Sequence, residues 1–344
     1  MHIRNFIIPA VLLAAALSMP NVRAASPGLY AGEAPVQDQS GPEQRRAMPV
    51  ALGQVVQKLT GLSEFSEFPE VEPSLQNARS MAVTFYYRNR QITLPDGEQD
   101  EALYLVVEFS KPAVDSLIQS LELPIWEPER RPLTVWLLVD DGASRRIMPI
   151  ELEYAWEAIA EVARGRGLPI IRPEPDEDGN YAIDAQLLWG GYTDELTTEG
   201  PVDSLVIAAR REGPEWNVRM NLEYTNELLS WRNRHVDIVV ALQEGMNHAI
   251  DEIAAFNSIA ASDQGQENYE ITVIGISSAA RYARCLDYLN NLSLVDHVKV
   301  ESATAGMVRF QLTLNAVPDY FLRSLETDGV LSATGTLDEY ALQP

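Results

Sequence analysis

The sequence predicts an α/β protein of the α+β kind, built as three small tandem segments. Three observations carry this. Apolar residues make up 46% and charged residues 22% of the 344 residues, which is ordinary globular composition. A chain of that length divides into roughly two to three domains of about 100–150 residues. Short β-branched and aromatic runs alternate with amphipathic helical stripes, and the order β-α-β-β-α occurs twice.

Residues 1–24 read as a secretory signal peptide. Arg4 supplies a positive start, and Phe6 to Leu17 is an apolar run of leader length, too short for a comfortable membrane span. Val22-Arg23-Ala24 suits a cleavage site, placed after about Ala24. No later stretch approaches 18 apolar residues, so no integral membrane segment is expected in the mature chain. The only cysteine is Cys285. It cannot close an intrachain disulfide, and without a cysteine at the cleavage site the chain is not a lipoprotein. On a helix, Cys285 reads as a small buried apolar residue. The expected location is therefore the periplasm.

The first segment covers 25–146. Leu29–Val36 is a short opening strand. Ser40-Gly41-Pro42-Glu43 starts a helix with a serine cap and an acid three residues on. Ala47, Ala51, Leu52, Val55, Val56 and Leu59 form its apolar stripe, and Gly61 suits its end. Met81–Tyr87 and Leu103–Val107 are strands around a Pro95-Asp96-Gly97 turn. Ser110 caps a second helix carrying Val114, Leu117, Ile118 and Leu121. Thr134–Val139 is a fully buried strand closed by Asp140-Asp141-Gly142. The order β-α-β-β-α-β predicts a ferredoxin-like layer of helices on a sheet.

The second segment, 147–262, is an α/β unit with an antiparallel hairpin. A helix over 150–163 leads into the short strand 168–171. A further helix is expected around 193–199. Leu205–Ala208 is a strand. Trp216, Val218, Met220, Leu222 and Tyr224 alternate with polar residues, the period of a half-buried strand. Leu229–Arg232 is a third strand, and 236–260 is a helix with Val239, Leu242, Met246, Ile250, Ile253 and Phe256 at helical spacing.

Residues 262–268 form a linker by composition. The third segment, 268–336, repeats the ferredoxin-like order. Ile271–Ile276 is a strand, Ser277 and Ser278 start a helix, and Val295–Val300 and Val308–Leu314 are strands around an Ala305-Gly306 turn. Val317–Leu325 is a last helix. The tail 337–344 is expected to fray.

Val36-Gln37-Asp38-Gln39-Ser40 with the Arg45-Arg46 helix is one recognisable stretch. Leu123-Pro124-Ile125-Trp126, Arg131-Pro132 and Val135–Gly142 form another, followed by Arg166-Gly167-Leu168-Pro169 and Leu188-Trp189-Gly190. Together these resemble a proteobacterial exported family known as domain of unknown function 2066, over roughly residues 27–235. Glu122 departs from the glycine that such sequences place before this Leu-Pro turn. The resemblance implies a Gram-negative envelope protein and supplies no activity and no catalytic residues.

Charge narrows the partners. Twenty-six basic against 50 acidic residues give −24, which argues against nucleic acid and against anionic membrane surfaces. No G-x-S-x-G elbow occurs, and Ser277 and Ser278 read as a helix cap. His235, His248 and His297 lie at no metal-ligand spacing. Asp176-Glu177-Asp178-Gly179-Asn180 invites a calcium reading, yet glycine falls at position 4 and Leu187 at position 12, so a solvated acidic turn is expected. No phosphate-binding loop or dinucleotide fingerprint appears. No cofactor, metal site or catalytic residue is therefore assigned.

An exposed Trp126 with Arg130 and Arg131 is hot-spot chemistry for a protein contact; the alternative is that Trp126 packs back on its own helix. The reading is an exported periplasmic envelope protein, acting as a protein-interaction or assembly module with an envelope protein partner. Small sheets with free edges can accept a partner strand. The alternative is a periplasmic hydrolase or ligand-binding protein using an inter-domain cleft, with Asp140, Asp141 and His235 as its candidates. A third class is a chaperone for a basic client.

Overall fold

The computed structural model describes residues 28–93, 98–181, 183–191, 203–225, 227–304 and 306–343. It shows the α+β class, with three large hydrophobic cores in chain order and a smaller cluster on the second face of the middle sheet. The leader expected at 1–24, the turn expected at 95–97 and the helix expected around 193–199 lie outside the described residues.

The first core is built from β1 (Ala31–Pro35), α1 (Gly41–Thr60), α2 (Val71–Leu75), α3 (Ala78–Met81), β2 (Ala82–Thr93), β3 (Gln99–Phe109) and α4 (Lys111–Ser120). Its antiparallel sheet has the order β1-β3-β2. Both ends of α1 form as the sequence predicts. The Ser40 hydroxyl accepts from the Glu43 amide, and Glu43 reaches back to the Gln37 amide at 2.9 Å. Gly61 ends the helix at φ 75°. A Cβ there would meet the Ala254 Cβ at 2.6 Å, so conformation and close approach both favour glycine.

A connector follows, containing β4 (Ile125–Trp126). The second core holds β5 (Leu133–Asp140), β6 (Arg145–Ile147), α5 (Glu153–Arg166), β7 (Ile170–Ile171), α6 (Ala185–Gly190), β8 (Ser204–Glu212), β9 (Glu215–Tyr224), β10 (Glu227–His235) and α7 (Ile238–Asn257). Its sheet runs β10-β9-β8-β5-β6, with β7 also on β5. The hairpin β9–β10 is antiparallel, as expected from the alternation of Trp216–Tyr224.

One strand sits elsewhere than the sequence suggested. Thr134–Val139, expected as the fourth strand of the first layer, is the heart of β5 and pairs in parallel with β8. The reason is burial. Val135, Leu137 and Val139 pack in the core under α5 and α7, while Trp136 and Leu138 pack on the α6 side. A strand apolar on both faces needs cover on both faces, and the second segment provides it at β5, with α5 and α7 on one side and α6 on the other.

After β11 (Ser258–Ile259), which pairs with β4, the third core comprises β12 (Gln264–Ile276), α8 (Ala279–Asn291), β13 (Val295–Thr304), β14 (Gly306–Ala316), α9 (Pro318–Asp328), β15 (Leu331–Ala333) and β16 (Glu339–Leu342). The sheet order is β13-β14-β12-β16-β15. Two expectations are corrected here. The polar stretch expected as a linker is largely strand: Gln264 and Glu267–Asn268 pair with β14, with a register shift between them. Its polarity reflects solvent exposure, not lack of order. The tail expected to fray forms β16, parallel to β12. Leu342 is buried in the third core, and Arg281 donates to its carbonyl at 2.5 Å.

Candidate functional site

The first sheet ends on β2, which no further strand covers among the described residues. Val83 is 70% exposed, Phe85 43% and Tyr86 46%. Large apolar side chains grouped on a strand edge are unusual on a monomer, because open edges invite pairing with other chains. Phe85 sits edge-on to Tyr87, with ring centres 6.3 Å apart. The register with β3 is unbroken from Thr84 to Thr93, so the edge is a regular template.

The second half of β2 becomes the wall of a cleft of about 820 Å³. Arg88, Arg90 and Ile92 line one side, with Tyr104 from β3. Tyr154, Trp156 and Glu161 of α5 line the other. The two walls are joined by charge. Glu33 of β1 is buried and pairs with Arg88 at 2.5 Å and with Arg90. Arg90 continues to Glu161 at 2.5 Å, and Glu161 to Arg164 at 2.6 Å. Burial works against the Arg90 charge, yet Glu161 and Glu33 hold its pKa above the ordinary value. Burial also raises the Tyr104 pKa, and the Arg90 guanidinium lies 4.2 Å from that ring centre. The network fixes the first sheet against α5. Lys58 lies at the same boundary, buried, with its ammonium donating to the Ala31 carbonyl at 2.8 Å. Burial pulls its pKa down to about 8.

The contact residues read from the sequence lie elsewhere, and they face inward. Trp126 is only 2% exposed, so the ring packs inside the chain, the alternative weighed beside a partner contact. Arg130 stacks over it at 3.6 Å from the ring centre. The same guanidinium donates to the Gly167 carbonyl at 2.9 Å, to the Arg166 carbonyl at 3.1 Å and to the Lys58 carbonyl. Arg131 pairs with Asp203 at 2.7 Å, and burial raises the pKa of that aspartate. Glu127 accepts from Ser293 of the third segment at 2.8 Å, and Arg323 of α9 donates to the Phe256 carbonyl at 2.7 Å. Arg166, itself buried, donates to the Gly61 carbonyl at 2.6 Å and to Asp251 at 2.7 Å. Hot-spot chemistry is therefore present, and it binds the three segments to one another around a cavity of about 80 Å³.

Asp140, Asp141 and His235 are not brought together. Asp140 shares a rung with Arg210, Asn217 and Arg234 across β5, β8, β9 and β10. Three strand spacings, about 14 Å, thus separate the Asp140 end of the sheet from the β10 strand that carries His235. Asp140 accepts from the Gly142 amide at 2.9 Å and pairs with Arg145 and Arg210, and these partners lower its pKa. Asp141 accepts from the Ala143 and Ser144 amides, which lower its pKa as well. His235 accepts from the Asp237 amide at 2.9 Å. None of the three lines the cleft.

The remaining candidates have local roles. Asp176 accepts from the Asp178 and Asn180 amides, closing its own turn. Ser278 caps α8 by accepting from Arg281. His248 stands edge-on to Trp231, and His297 lies on the exposed strand β13. Cys285 is buried in the third core, which pushes its thiol pKa up to about 11. Among the described residues no group of three or more His, Cys, Asp or Glu side chains is placed to hold a metal ion, and no helix is long and apolar enough to cross a membrane.

Sequence reasoning missed Glu33 and its arginine partners. A signal was present: Glu33 interrupts an otherwise apolar strand, and a charge at a buried strand position requires a counter-charge from elsewhere.

Comparison with known proteins adds little chemistry. A family described as a domain of unknown function (DUF8605) matches residues 24–127. This corrects the resemblance to domain of unknown function 2066: the matching family is a different one, and its match covers the first segment and ends at the connector. No curated protein matches the chain. One similar solved chain, titled as the crystal structure of an uncharacterized protein, aligns at 10% identity over 37% of this chain and 91% of that one, with a TM-score of 0.18. That score is too low to assign a shared fold.

Proposed function

We propose that the chain is an exported protein-interaction or assembly module of the bacterial envelope. In this reading the open edge of β2 receives an extended segment of a partner polypeptide. The observation that carries it is the exposure of Phe85 and Tyr86, with Val83 beside them at a register shift, on an edge strand that pairs regularly with β3 from Thr84 onward and that no further strand covers among the described residues. Strand addition uses main-chain hydrogen bonds for affinity and alternate side-chain contacts for specificity. Export is supported by the Arg4 and Phe6–Leu17 leader pattern and by the small residue at Ala24.

The test is in-cell crosslinking of the C-terminally tagged protein, with wild type beside a Phe85→Glu variant. A partner recovered with wild type and lost with Phe85→Glu supports the reading. The same partner recovered equally from both sinks it.

A second reading has one observation in its favour. The cleft of about 820 Å³ has Tyr104, Tyr154 and Trp156 among its lining residues, and ligand sites favour such volumes and aromatic walls at domain boundaries. In that case a Trp156→Ala variant loses activity or ligand while Phe85→Glu keeps it.

A further inference from the structure

The second sheet has one covered face and one that is partly open. On the open face, the rung through Ala208 places Arg219 of β9 directly opposite Arg232 of β10. The next rung holds Arg210 and Arg234 around Asn217. Arg145 of β6 pairs with Asp140 on that rung from the other side. Five arginines thus gather on one face of a chain whose net charge is −24.

Their partners do not balance them. Asp140 serves both Arg145 and Arg210, and Glu212 serves Arg234 at 3.2 Å. Arg219 donates to the Trp189 carbonyl, and its Nε is buried with no partner. Burial, followed by the charges of Arg232 and Arg210, lowers its pKa. Arg232 is exposed and makes no ion pair among the described residues. Like charges directly opposite on adjacent strands are destabilising, so this face carries a repulsion that a bound anion would relieve.

Among the described residues the strand beside it is also open. β10 is the edge of its sheet, with an unbroken register to β9 from Glu227 to His235. A further long edge, β13, is interrupted by two register shifts, a device that blunts pairing. Leu228 and Leu229 are exposed at the start of β10.

The geometry points to a second docking surface, where β10 pairs with an extended polypeptide segment whose acidic residues alternate with apolar ones. Alternate side chains of a strand fall on one face, about 6–7 Å apart. Two carboxylates at that spacing meet Arg232 and Arg234, and the apolar residues between them fall on the opposite face, the side of Leu229 and Trp231. The peptide class is favoured over a simple anion because the arginines border an open backbone edge, which a phosphate leaves unused. The surface is separate from β2, so its failure leaves the proposed function standing.

The probe is a capped nine-residue peptide alternating Val and Glu, with a Val–Lys peptide of equal length as control. The full chain should bind the Val–Glu peptide at least tenfold more tightly and show slowed amide exchange along β10. Arg232→Glu should abolish the preference, and Arg232→Ala should weaken binding several-fold if the reversal disturbs folding. Equal binding of the two peptides overturns the proposal. So does Arg232-dependent binding of inorganic phosphate or phosphatidylglycerol vesicles without any response to the Val–Glu peptide.

Discussion

The connector around Trp126 and the edge strand β2 make an instructive pair. The connector has the composition of a protein interface, a tryptophan followed by two arginines, and that tryptophan is buried inside the molecule under the Arg130 guanidinium. β2 reads as an ordinary strand, yet it leaves Val83, Phe85 and Tyr86 open to solvent. Composition thus identifies contact chemistry without telling whether the contact is internal. Arg130 shows why. A guanidinium has five donors in a fixed fork, and here several of them are taken by carbonyls from α1 and from the end of α5.

Removing the connector's anchor should have the largest effect. Trp126→Ala leaves a cavity where three segments meet and should cost about 3–5 kcal/mol, read by chemical denaturation. A cost below about 1 kcal/mol would show that the ring is not a keystone. Arg130→Ala comes next. It strands buried carbonyls and should cost about 2–3 kcal/mol.

Lys58 sharpens the comparison through pH. Its folded pKa, about 8, lies below the unfolded value, so the unfolded chain binds more protons between about 8 and 10.5. Stability from this group should therefore rise with pH across that window, by at most about 1.4 kcal/mol per pH unit. Lys58→Met should remove that rise. If the two stability profiles run parallel from pH 8 to 10, the Lys58 account is wrong.

The smallest stability effect is expected on β2. Phe85→Ser and Tyr86→Ser should each shift stability by no more than about 0.5 kcal/mol, while weakening partner recovery. A large loss of stability would place these rings in a core.

Much of the fold was legible because local rules govern it. Ser40, Gly61 and Ser278 mark helix ends through hydrogen bonds that reach only a few residues. The alternation in Trp216–Tyr224 reports one buried face. What was not legible depends on distant partners. Periodicity shows that Thr134–Val139 is buried on both faces, but not which sheet buries it. The four residues of β16 are too few for a pattern, and their order comes from pairing with β12. The candidate site was legible only in part. Glu33 announces a counter-charge without naming Arg88 or Arg90, which follow 55 and 57 residues later. The openness of β2 is a property of the sheet and not of the strand.

The most direct test is site-specific photo-crosslinking in cells, with a photoreactive residue at position 85 in one variant and at position 126 in another. The account predicts intermolecular products from position 85 and only intramolecular ones from position 126. A partner captured from position 126, with position 85 silent, would contradict it.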